Sequence, residues 1–465
     1  DIWPGLVNGC VAFGDGHTEK AAYKFFDNEA IEPNNGQDAT GDTADKDVRN
    51  QSVALTYEFA PSTTPFVDLS VIAYRNSSFV DETETDSTDA GVLQTRELKT
   101  LGVDIANTSR IEIDAFGDVA LTYGGEVYRD KADGEFGGGT RGGVVAGTQR
   151  FYGAFLQSEF TWDDAFGLPE AELVVTPGVR YDIYKAEGSG AAANLNADET
   201  ALSPKVSVRV SPVPWAFAYG SFAEAFRAPT LDELFATGTH FAIGLGTNEF
   251  IINPDLKPQE TTTWEGGAGF EFEDLGFEGD SLQTKAGFYR INGKDFIDLE
   301  VTAPGATCFF LGTDCGTSQS VNIGDAEING IEANVTYDTP RFMVEATYHR
   351  MNTENTQTGE PLTLEQPDTV TLDGRLKVSE VDSTFGYRLA AVDGFDEGTD
   401  ASRHRDGYVL HDFYARWEPK EGLADGLALG VTVKNAFDRR YSRIASDVVE
   451  AGRDLRFDAS YTLRW

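Results

Sequence analysis

The chain lacks the long apolar runs and the positive charge that many membrane and nucleic-acid-binding proteins carry. None of its 465 residues lie in an apolar run approaching the roughly 18 that a membrane-spanning helix needs. Its 37 Lys and Arg stand against 77 Asp and Glu, a formal net charge of −40. Phosphate neutralisation requires cations, so we exclude nucleic acid as a partner. The missing helix does not exclude a membrane, because membrane-crossing β-strands hide their hydrophobicity in alternation.

Cysteine is also scarce, with three residues in the chain. Cys308 and Cys315 bracket six residues of a polar, glycine-containing loop, which predicts a short disulfide formed in an oxidising compartment. Cys10 is then left unpaired. No secretory signal begins the chain, and Asp1 is not a start residue, so we expect a processed or truncated N-terminus.

Motifs of catalysis are missing as well. No Gly-x-Ser-x-Gly segment lies at a strand-to-helix turn, and the sequence predicts no convincing helix of any length. The 77 acidic residues form many carboxylate pairs by chance, so such pairs do not indicate an active site. We therefore expect neither an enzyme nor a catalytic cofactor.

What the sequence does contain is strict two-residue alternation of apolar and polar residues. Over residues 454–465 the apolar positions are Leu455, Phe457, Ala459, Tyr461, Leu463 and Trp465. The pattern recurs in residues 173–182, 342–349 and 427–434. Charges on the polar face indicate a wet interior, because burying an unpaired charge is costly. Repeated in segments of about ten residues, the pattern predicts an all-β, transmembrane antiparallel β-barrel; a soluble all-β protein is the alternative.

The predicted strands are unevenly distributed along the chain. Alternation, with clusters of Gly, Pro, Asp and Asn as turns, predicts about seventeen strands from Val53 onward, so residues 53–465 form the barrel. Residues 1–52 are weakly patterned, and we expect a loop-rich segment with at most one strand, around Ala21–Phe26. The acidic stretches 27–47 and 81–89 are expected to be solvated loops.

Connection lengths predict the orientation of the barrel. In the C-terminal half, short turns alternate with long polar loops at residues 230–257, 304–320, 352–368 and 394–407. Bacterial barrels have short periplasmic turns and long extracellular loops, so we expect the long set to be extracellular. Single-chain bacterial barrels also have even strand numbers, so an odd count indicates a miscount or, as we favour, strands missing from the front.

Three segments resemble those of a known family. They are Val433–Tyr441, with Asn435-Ala-Phe-Asp438 at its centre; Asn322–Glu332, with Gly324 and Gly330; and Ser109 with Leu121–Gly124. In this order they resemble TonB-dependent outer-membrane receptors, which are plugged barrels of the 22-stranded class. The resemblance covers most of the chain. It implies a transporter in the outer membrane of a Gram-negative bacterium, with outer-membrane lipid around it.

A further arrangement resembles the haem and haemoglobin receptors of that family. Phe226-Arg227-Ala228-Pro229 is followed, after a loop, by Asn253-Pro254-Asp255-Leu256, and His240 is the one histidine between them. The family has Asn-Pro-Asn-Leu in the second motif, so Asp255 is a departure. The resemblance implies that His240 is an axial ligand to haem iron on an extracellular loop. Neutral imidazole can donate a lone pair to iron, and apolar loop residues can cover a porphyrin face: Phe235, Phe241, Ile243, Leu245 and Phe250.

Alternatives stay open for individual residues. His240 can also be an ordinary solvent-exposed loop histidine, and for Arg227 we expect an ion pair, with Glu224 or Asp232, rather than contact with a propionate. His349, on the polar face of its strand, and His404, in the loop 400–406, are candidates for a second axial ligand. An ordinary polar role fits each of these two histidines as well.

The resembled family also has a plug domain that fills the barrel and contacts TonB. No such sequence precedes Asp1, so we expect a partial chain that holds most of the barrel without its plug. The resemblance implies TonB-coupled uptake of haem, as a transported ligand that arrives free or on a haem-carrying protein. Two other functions stay open: a TonB-dependent receptor for a ferric siderophore or other cargo, and a plug-less passive porin.

Overall fold

The structure, a computed structural model, is built mostly of antiparallel β-strands. It describes residues 2–33, 43–85, 90–113, 117–140, 143–362, 365–399, 403–444, 446 and 448–462. No helix in this part of the chain is long and apolar enough to cross a membrane.

The strands, numbered in chain order, form one large sheet and one small sheet. They are β1 (Ile2–Phe13), β2 (His17–Pro33), β3 (Thr43–Phe59), β4 (Leu69–Glu84), β5 (Leu93–Ile113), β6 (Gly117–Phe136), β7 (Gly139–Thr140), β8 (Gly147–Asp163), β9 (Glu172–Gly188), β10 (Asn196–Val213), β11 (Ala216–Arg227), β12 (Thr239–Ile243), β13 (Gly246–Phe250), β14 (Gln259–Glu273), β15 (Ser281–Lys294), β16 (Ile297–Val301), β17 (Thr317–Asn322), β18 (Ala326–Asp338), β19 (Phe342–Asn355), β20 (Thr369–Val378), β21 (Ser383–Val392), β22 (Tyr408–Trp417), β23 (Leu427–Lys434) and β24 (Asp454–Tyr461). The helices are short: α1 (Leu231–Phe235), α2 (Cys308–Leu311) and 3-10 turns at Ala165–Gly167, Gly190–Ala192, Ser379–Val381 and Gly422–Ala424.

The large sheet is a meander in which each long strand pairs antiparallel with the next. Over the described residues it has 20 strands, and one of them, β7, is a two-residue extension beside β6, which leaves 19 long strands. Two of the 19, β1 and β2, precede β3, the strand that contains Val53. The remaining 17 agree with the number predicted from Val53 onward.

The N-terminal segment differs from the prediction. Residues 1–52 were expected to be loop with at most one strand, but β1, β2 and the first part of β3 occupy most of them. Backbone pairing explains the difference: Ile2 to Phe13 pair with Asn28 to His17, and β2 pairs along its whole length with β3. The backbone hydrogen bonds of these pairings override a weak local pattern.

The acidic stretches are also less loop-like than predicted. Strand β2 extends to Pro33, β3 begins at Thr43 and β4 ends at Glu84, so most described residues of 27–47 and 81–89 lie in strands. Residues 34–42 and 86–89 lie outside the described part of the chain. The same holds for Leu463 and Trp465 of the predicted last strand, of which β24 covers Asp454–Tyr461.

Connection lengths alternate in the C-terminal half, as predicted. Residues 214–215, 274–280, 339–341, 379–382 and 418–426 connect strands at one end of the sheet, which we name the turn end. The described residues of the longer connections 228–258, 295–325, 356–368, 393–407 and 435–453 lie at the opposite end, the loop end.

The two faces of the large sheet have opposite chemistry. Leu372 is 41% exposed, whereas its neighbour Asp373, on the opposite face, is 4% exposed and pairs with Arg375 and Arg388. Exposed apolar side chains recur along the first face: Leu101, Val103, Ile105, Phe288, Ile331, Val344, Phe385, Phe413, Leu429 and Phe457. Charged residues on the sheltered face and apolar residues on the exposed face are what a barrel with lipid outside and water inside requires.

Aromatic rings gather near the turn end. Trp215 stacks on Phe272 with ring centroids 5.2 Å apart, and Phe160 stacks on Trp162 at 5.9 Å. His17 lies against Phe59 at 4.4 Å and donates to or accepts from the Tyr57 hydroxyl at 2.8 Å. Aromatic girdles of this kind mark the interfaces of transmembrane barrels.

Candidate functional site

Two long connections at the loop end build a second sheet of four strands. β12 pairs antiparallel with β13, β13 runs parallel to β17 through Glu249 and Phe250, and β17 pairs antiparallel with β16. We name this unit the loop sheet. Because β12 and β13 come from one connection and β16 and β17 from the next, the loop sheet joins two loops into one structure.

The first motif, Phe226-Arg227-Ala228-Pro229, ends β11 and fixes the start of helix α1. The hydroxyl of Tyr184 on β9 donates to the Pro229 carbonyl at 2.7 Å. Thr230 is the N-cap of α1, and its side chain forms a capping box with Glu233. Proline fixes the backbone before the helix, so the chain leaves the large sheet in a defined direction.

Arg227 forms an ion pair, although not with a predicted partner. Its guanidinium donates to both carboxylate oxygens of Glu233, at 2.9 and 2.8 Å. Asp232 pairs instead with Arg96 on β5 at 2.6 Å. The capping box explains the difference, since it turns the Glu233 side chain back toward the N-terminus of α1, where Arg227 lies.

Helix α1 packs into an apolar cluster, and this excludes one residue from a ligand role. Phe235 was predicted to cover a porphyrin face but is fully buried. Residues three or four apart on a helix share a face, so Leu234 and Phe235 point into the protein together with Leu231. The cluster consists of Val145, Tyr184, Ala186, Ala192, Ala228, Leu231, Leu234, Phe235, Ala236 and Leu256.

The second motif, Asn253-Pro254-Asp255-Leu256, ties α1 to the loop sheet. The Asn253 backbone amide donates to the Leu234 carbonyl at 2.9 Å, and its side-chain amide donates to the Ser320 carbonyl on β17 at 2.8 Å. Leu256 is 3% exposed within the apolar cluster, whereas Asp255 is exposed. The departure from the family pattern therefore lies at a surface position.

His240 lies on β12 at the loop end, with aromatic rings around it. Its ring centroid is 4.6 Å from that of Phe250 and 4.9 Å from that of Phe241. Its Nδ1 lies 2.7 Å from the Ser318 hydroxyl oxygen, and no hydrogen-bond partner of Nε2 is found among the described residues. His240 is exposed to solvent, as the alternative of an ordinary loop histidine predicted. The neighbouring rings remove part of its hydration, and this desolvation lowers the pKa of His240, which favours the neutral imidazole. A neutral ring with an open Nε2 has the chemistry of an iron ligand.

The predicted disulfide between Cys308 and Cys315 is present and fixes the loop beside the turn from β12 to β13. A Cβ on Gly246 would lie 2.1 Å from the Cys315 Sγ, so only glycine fits there. The Leu245 amide donates to the Phe309 carbonyl at 3.1 Å. The tip of the loop sheet is thus held rigidly, with Leu245 78% and Phe310 71% exposed.

The other two candidate histidines lie in different surroundings from His240. His349 is on β19 and pairs across the strands with Glu332, on the polar face, in a cavity that Lys285 also lines. His404 is exposed in the connection 393–407, with Nε2 3.4 Å from the Gly398 carbonyl. Within the described ranges, neither shares a cavity or a contact with His240, and no group of three metal-binding side chains is found.

The sequence did not indicate two residues that lie beside His240. Ser318 lies 78 residues further along the chain, and Asn248, which accepts a hydrogen bond from Ser318, lies on β13. Ser and Asn are common in loops, so no spacing or motif marks these two. Only the pairing of β13 with β17 brings them together.

Comparison with known proteins relates the chain to a receptor family. A family model described as "TonB dependent receptor-like, beta-barrel" matches residues 11–436. A hemin receptor of Yersinia enterocolitica is 30% identical over 454 residues, which cover 95% of this chain and 63% of that protein. Heme/hemopexin utilization protein C of Haemophilus influenzae is 26% identical, over 90% of this chain and 58% of that protein. The chain thus spans about three-fifths of the length of these relatives.

Solved structures share the fold. A double mutant of the Serratia marcescens hemophore receptor HasR, in complex with its hemophore HasA and heme, superposes with a TM-score of 0.78 and 21% identity, over 99% of this chain and 71% of that one. The copper transporter OprC gives a TM-score of 0.77 and 17% identity, over 99% and 71%. The all-β barrel prediction is confirmed, and the match over residues 11–436 places this chain in the family of TonB-dependent receptor β-barrels.

Proposed function

We propose that this chain forms the barrel of an outer-membrane receptor that takes up haem in a TonB-coupled process. The observation that carries the proposal is the geometry of His240 at the loop end, between the two motifs that fix its loop. Its Nδ1 contacts Ser318, and its Nε2 has no partner among the described residues. Similarity over 95% of the chain to a protein named hemin receptor supports haem as the cargo. Haem is then the transported ligand, and no catalytic cofactor is involved.

Each part of the site has a role in this proposal. Nε2 of His240 coordinates the haem iron, while Phe241 and Phe250 offer apolar surface to the porphyrin. The motif residues hold the loop and do not touch the ligand, since Arg227 is engaged by Glu233 and Leu256 is buried. Cargo then passes along the polar face, where His349 is available as a second ligand.

The partners follow from the same proposal. Free haem or a haem-carrying protein approaches the exposed loop end, and outer-membrane lipid contacts the apolar face of the large sheet. TonB acts through a plug domain, as in the family that the chain belongs to.

Haem titration of the protein purified from outer membranes tests the proposal. We expect His240→Ala to weaken ferric haem binding, followed at the Soret band, and to lower growth on haem as sole iron source. His17→Ala is the control, because it removes a histidine at the turn end, away from the proposed haem ligands. An unchanged titration of His240→Ala would remove the ligand assignment. Uptake of a ferric siderophore without haem uptake would change the cargo, and constitutive conductance of the reconstituted protein would favour a passive porin.

A further inference from the structure

A chain of hydrogen bonds runs from His240 into the buried part of the loop sheet. Nδ1 of His240 lies 2.7 Å from the Ser318 hydroxyl oxygen, and that hydroxyl lies 2.6 Å from Oδ1 of Asn248. The Asn248 amide nitrogen lies 3.2 Å from the Cys315 carbonyl oxygen. Ser318 is 0% and Asn248 1% exposed, so water does not compete for these groups.

The direction of each bond follows from what each group can donate. The Asn248 amide nitrogen donates to the Cys315 carbonyl, so Oδ1 is the atom that faces Ser318, and it can only accept. The Ser318 hydroxyl has one hydrogen, which it donates to Asn248. Its oxygen therefore accepts from His240, which places the ring hydrogen on Nδ1 and leaves the lone pair on Nε2.

We propose that Asn248 and Ser318 are positioning residues that hold the His240 imidazole in its Nδ1–H tautomer, so that Nε2 presents a lone pair to the iron of a porphyrin. The identity of that ligand rests on the proposed function, whereas the tautomer is a property of the protein alone. Metal-binding histidines are commonly oriented in this way, by a hydrogen bond from the ring nitrogen that does not bind the metal.

The Cys315 carbonyl, which sets the direction of these hydrogen bonds, is itself held in a rigid loop. The Cys315 carbonyl belongs to the disulfide-bonded loop, and Gly316 follows it with a φ of 68°. A Cβ at Gly316 would lie 2.1 Å from the Thr302 carbonyl oxygen and 3.3 Å from the Asn248 amide nitrogen, so the backbone there packs closely. The disulfide thus holds the acceptor that orients Asn248, three hydrogen bonds away from Nε2 of His240.

Nitrogen NMR of the haem-free protein, labelled with 15N-histidine, tests the tautomer directly. Two-bond spectra at a pH where the ring is neutral distinguish a pyrrole-type from a pyridine-type ring nitrogen. The spectrum of His240→Ala assigns the His240 signals among the five histidines of the chain. We expect a pyrrole-type Nδ1 and a pyridine-type Nε2 for His240. A hydrogen on Nε2 would overturn the inference, whatever the result with haem.

Two substitutions of Asn248 separate bond direction from packing. In Asn248→Asp the carboxylate can only accept, so Ser318 still donates to it and the Nδ1–H tautomer persists. In Asn248→Ala the hydroxyl hydrogen of Ser318 is free to turn toward Nδ1, and the ring hydrogen moves to Nε2. Ser320→Ala, on the same strand, is the control for a lost hydroxyl. The same tautomer in both Asn248 variants would show that Asn248 and Ser318 have only a structural role, which would overturn the proposal.

Ferric haem titrations measure the consequence for binding. We expect Ser318→Ala and Asn248→Ala to weaken binding by about 10- to 100-fold, with Ser320→Ala unchanged. If His240→Ala binds haem normally, the proposed function loses its ligand while the NMR result stands. If His240→Ala loses binding and Ser318→Ala keeps it, the positioning role fails and the ligand assignment stands.

Discussion

The hydroxyl of Tyr184 on β9 donates a 2.7 Å hydrogen bond to the carbonyl of Pro229, and both residues are fully buried. This bond joins the wall of the large sheet to the point where the chain leaves β11 for α1 and the loop sheet. Tyr184 also packs within the apolar cluster that surrounds α1. The loop that carries His240 follows β11 but is anchored to β9, which lies two strands away in the large sheet.

Tyr184→Phe tests this anchor. The substitution leaves the buried Pro229 carbonyl without its donor, which costs about 1 to 3 kcal/mol. We expect faster proteolysis within residues 228–258 and a lower midpoint of denaturant unfolding. Tyr181→Phe, on the same strand but with Tyr181 47% exposed on the apolar face, is the control. Equal protease resistance of the two variants would show that the bond does not hold the loop.

Arg227→Lys tests whether the first motif serves the loop or the ligand. A lysine cannot make the two parallel hydrogen bonds that Arg227 makes to Glu233, so the start of α1 loosens. The pair is partly exposed, so we expect a loss of about 1 kcal/mol or less and a modest rise in protease sensitivity. Haem affinity should fall only slightly. A complete loss of haem binding in a protease-resistant variant would instead indicate direct contact with the ligand.

The pKa of His240 predicts how haem binding depends on pH. Desolvation lowers this pKa below its ordinary value of 6.5, so most of the imidazole rings are still neutral at pH 6.5. Only at more acidic pH does the ring bind a proton and lose its lone pair for iron. We therefore expect ferric haem affinity to persist at pH 6.5 and to decrease below it.

Protonation of His240 should lower the stability of the folded protein at acidic pH, just as it lowers haem affinity. The unfolded state, with its higher pKa, binds the proton more readily, so the free energy of unfolding decreases as the pH falls from 6.5 to the lowered pKa. Phe250→Ala removes one of the rings that desolvate His240 and should move the loss of haem affinity to higher pH. Phe309→Ala, with Phe309 55% exposed and away from the ring, should leave the profile unchanged. A profile that Phe250→Ala does not shift would show that this ring does not set the pKa.

Removal of the disulfide should loosen the loop sheet. In the loop-closure model, opening a loop of this length costs about 2 to 3 kcal/mol, and the loss is local to residues 304–317. Cys308→Ala with Cys315→Ala should therefore increase proteolysis between β16 and β17, and we expect weaker haem binding because the Cys315 carbonyl orients Asn248. Cys10→Ala, at a free and exposed cysteine, is the control. Unchanged proteolysis would show that the hydrogen bonds of the loop suffice.

Alternation predicted the barrel because a strand has a side-chain period of two, and lipid and water select opposite chemistry on its two faces. Leu429 and Gly430, in the predicted segment 427–434, are neighbours that the sequence alone assigns to opposite faces. The prediction failed for residues 1–52, where Gly5, Gly9 and Cys10 interrupt the pattern. There, long hairpins hold the strands through backbone hydrogen bonds that no side-chain pattern records.

The site was predictable only where residues lie close in sequence. His240 stands between two local motifs, and Cys308 and Cys315 lie seven positions apart, so spacing indicated both. The partner of Arg227 was missed by one position, since the capping box that turns Glu233 back depends on where α1 begins. Ser318 has no local signal at all, because its contact with His240 depends on strands from two different loops.

The two faces of β20 provide a test of which side of the sheet meets lipid. Leu372 is 41% exposed on the apolar face, and Leu372→Arg would place a charge in the bilayer, at a cost of about 2 to 4 kcal/mol near its midplane. We expect poor insertion into the outer membrane and a lower unfolding midpoint in lipid vesicles. The matched control is Thr371→Arg, at the adjacent residue on the polar face, where the water-filled interior accepts a charge. If Thr371→Arg impairs insertion more than Leu372→Arg does, the faces are assigned the wrong way round, because lipid penalises a charge only on the side that it wets.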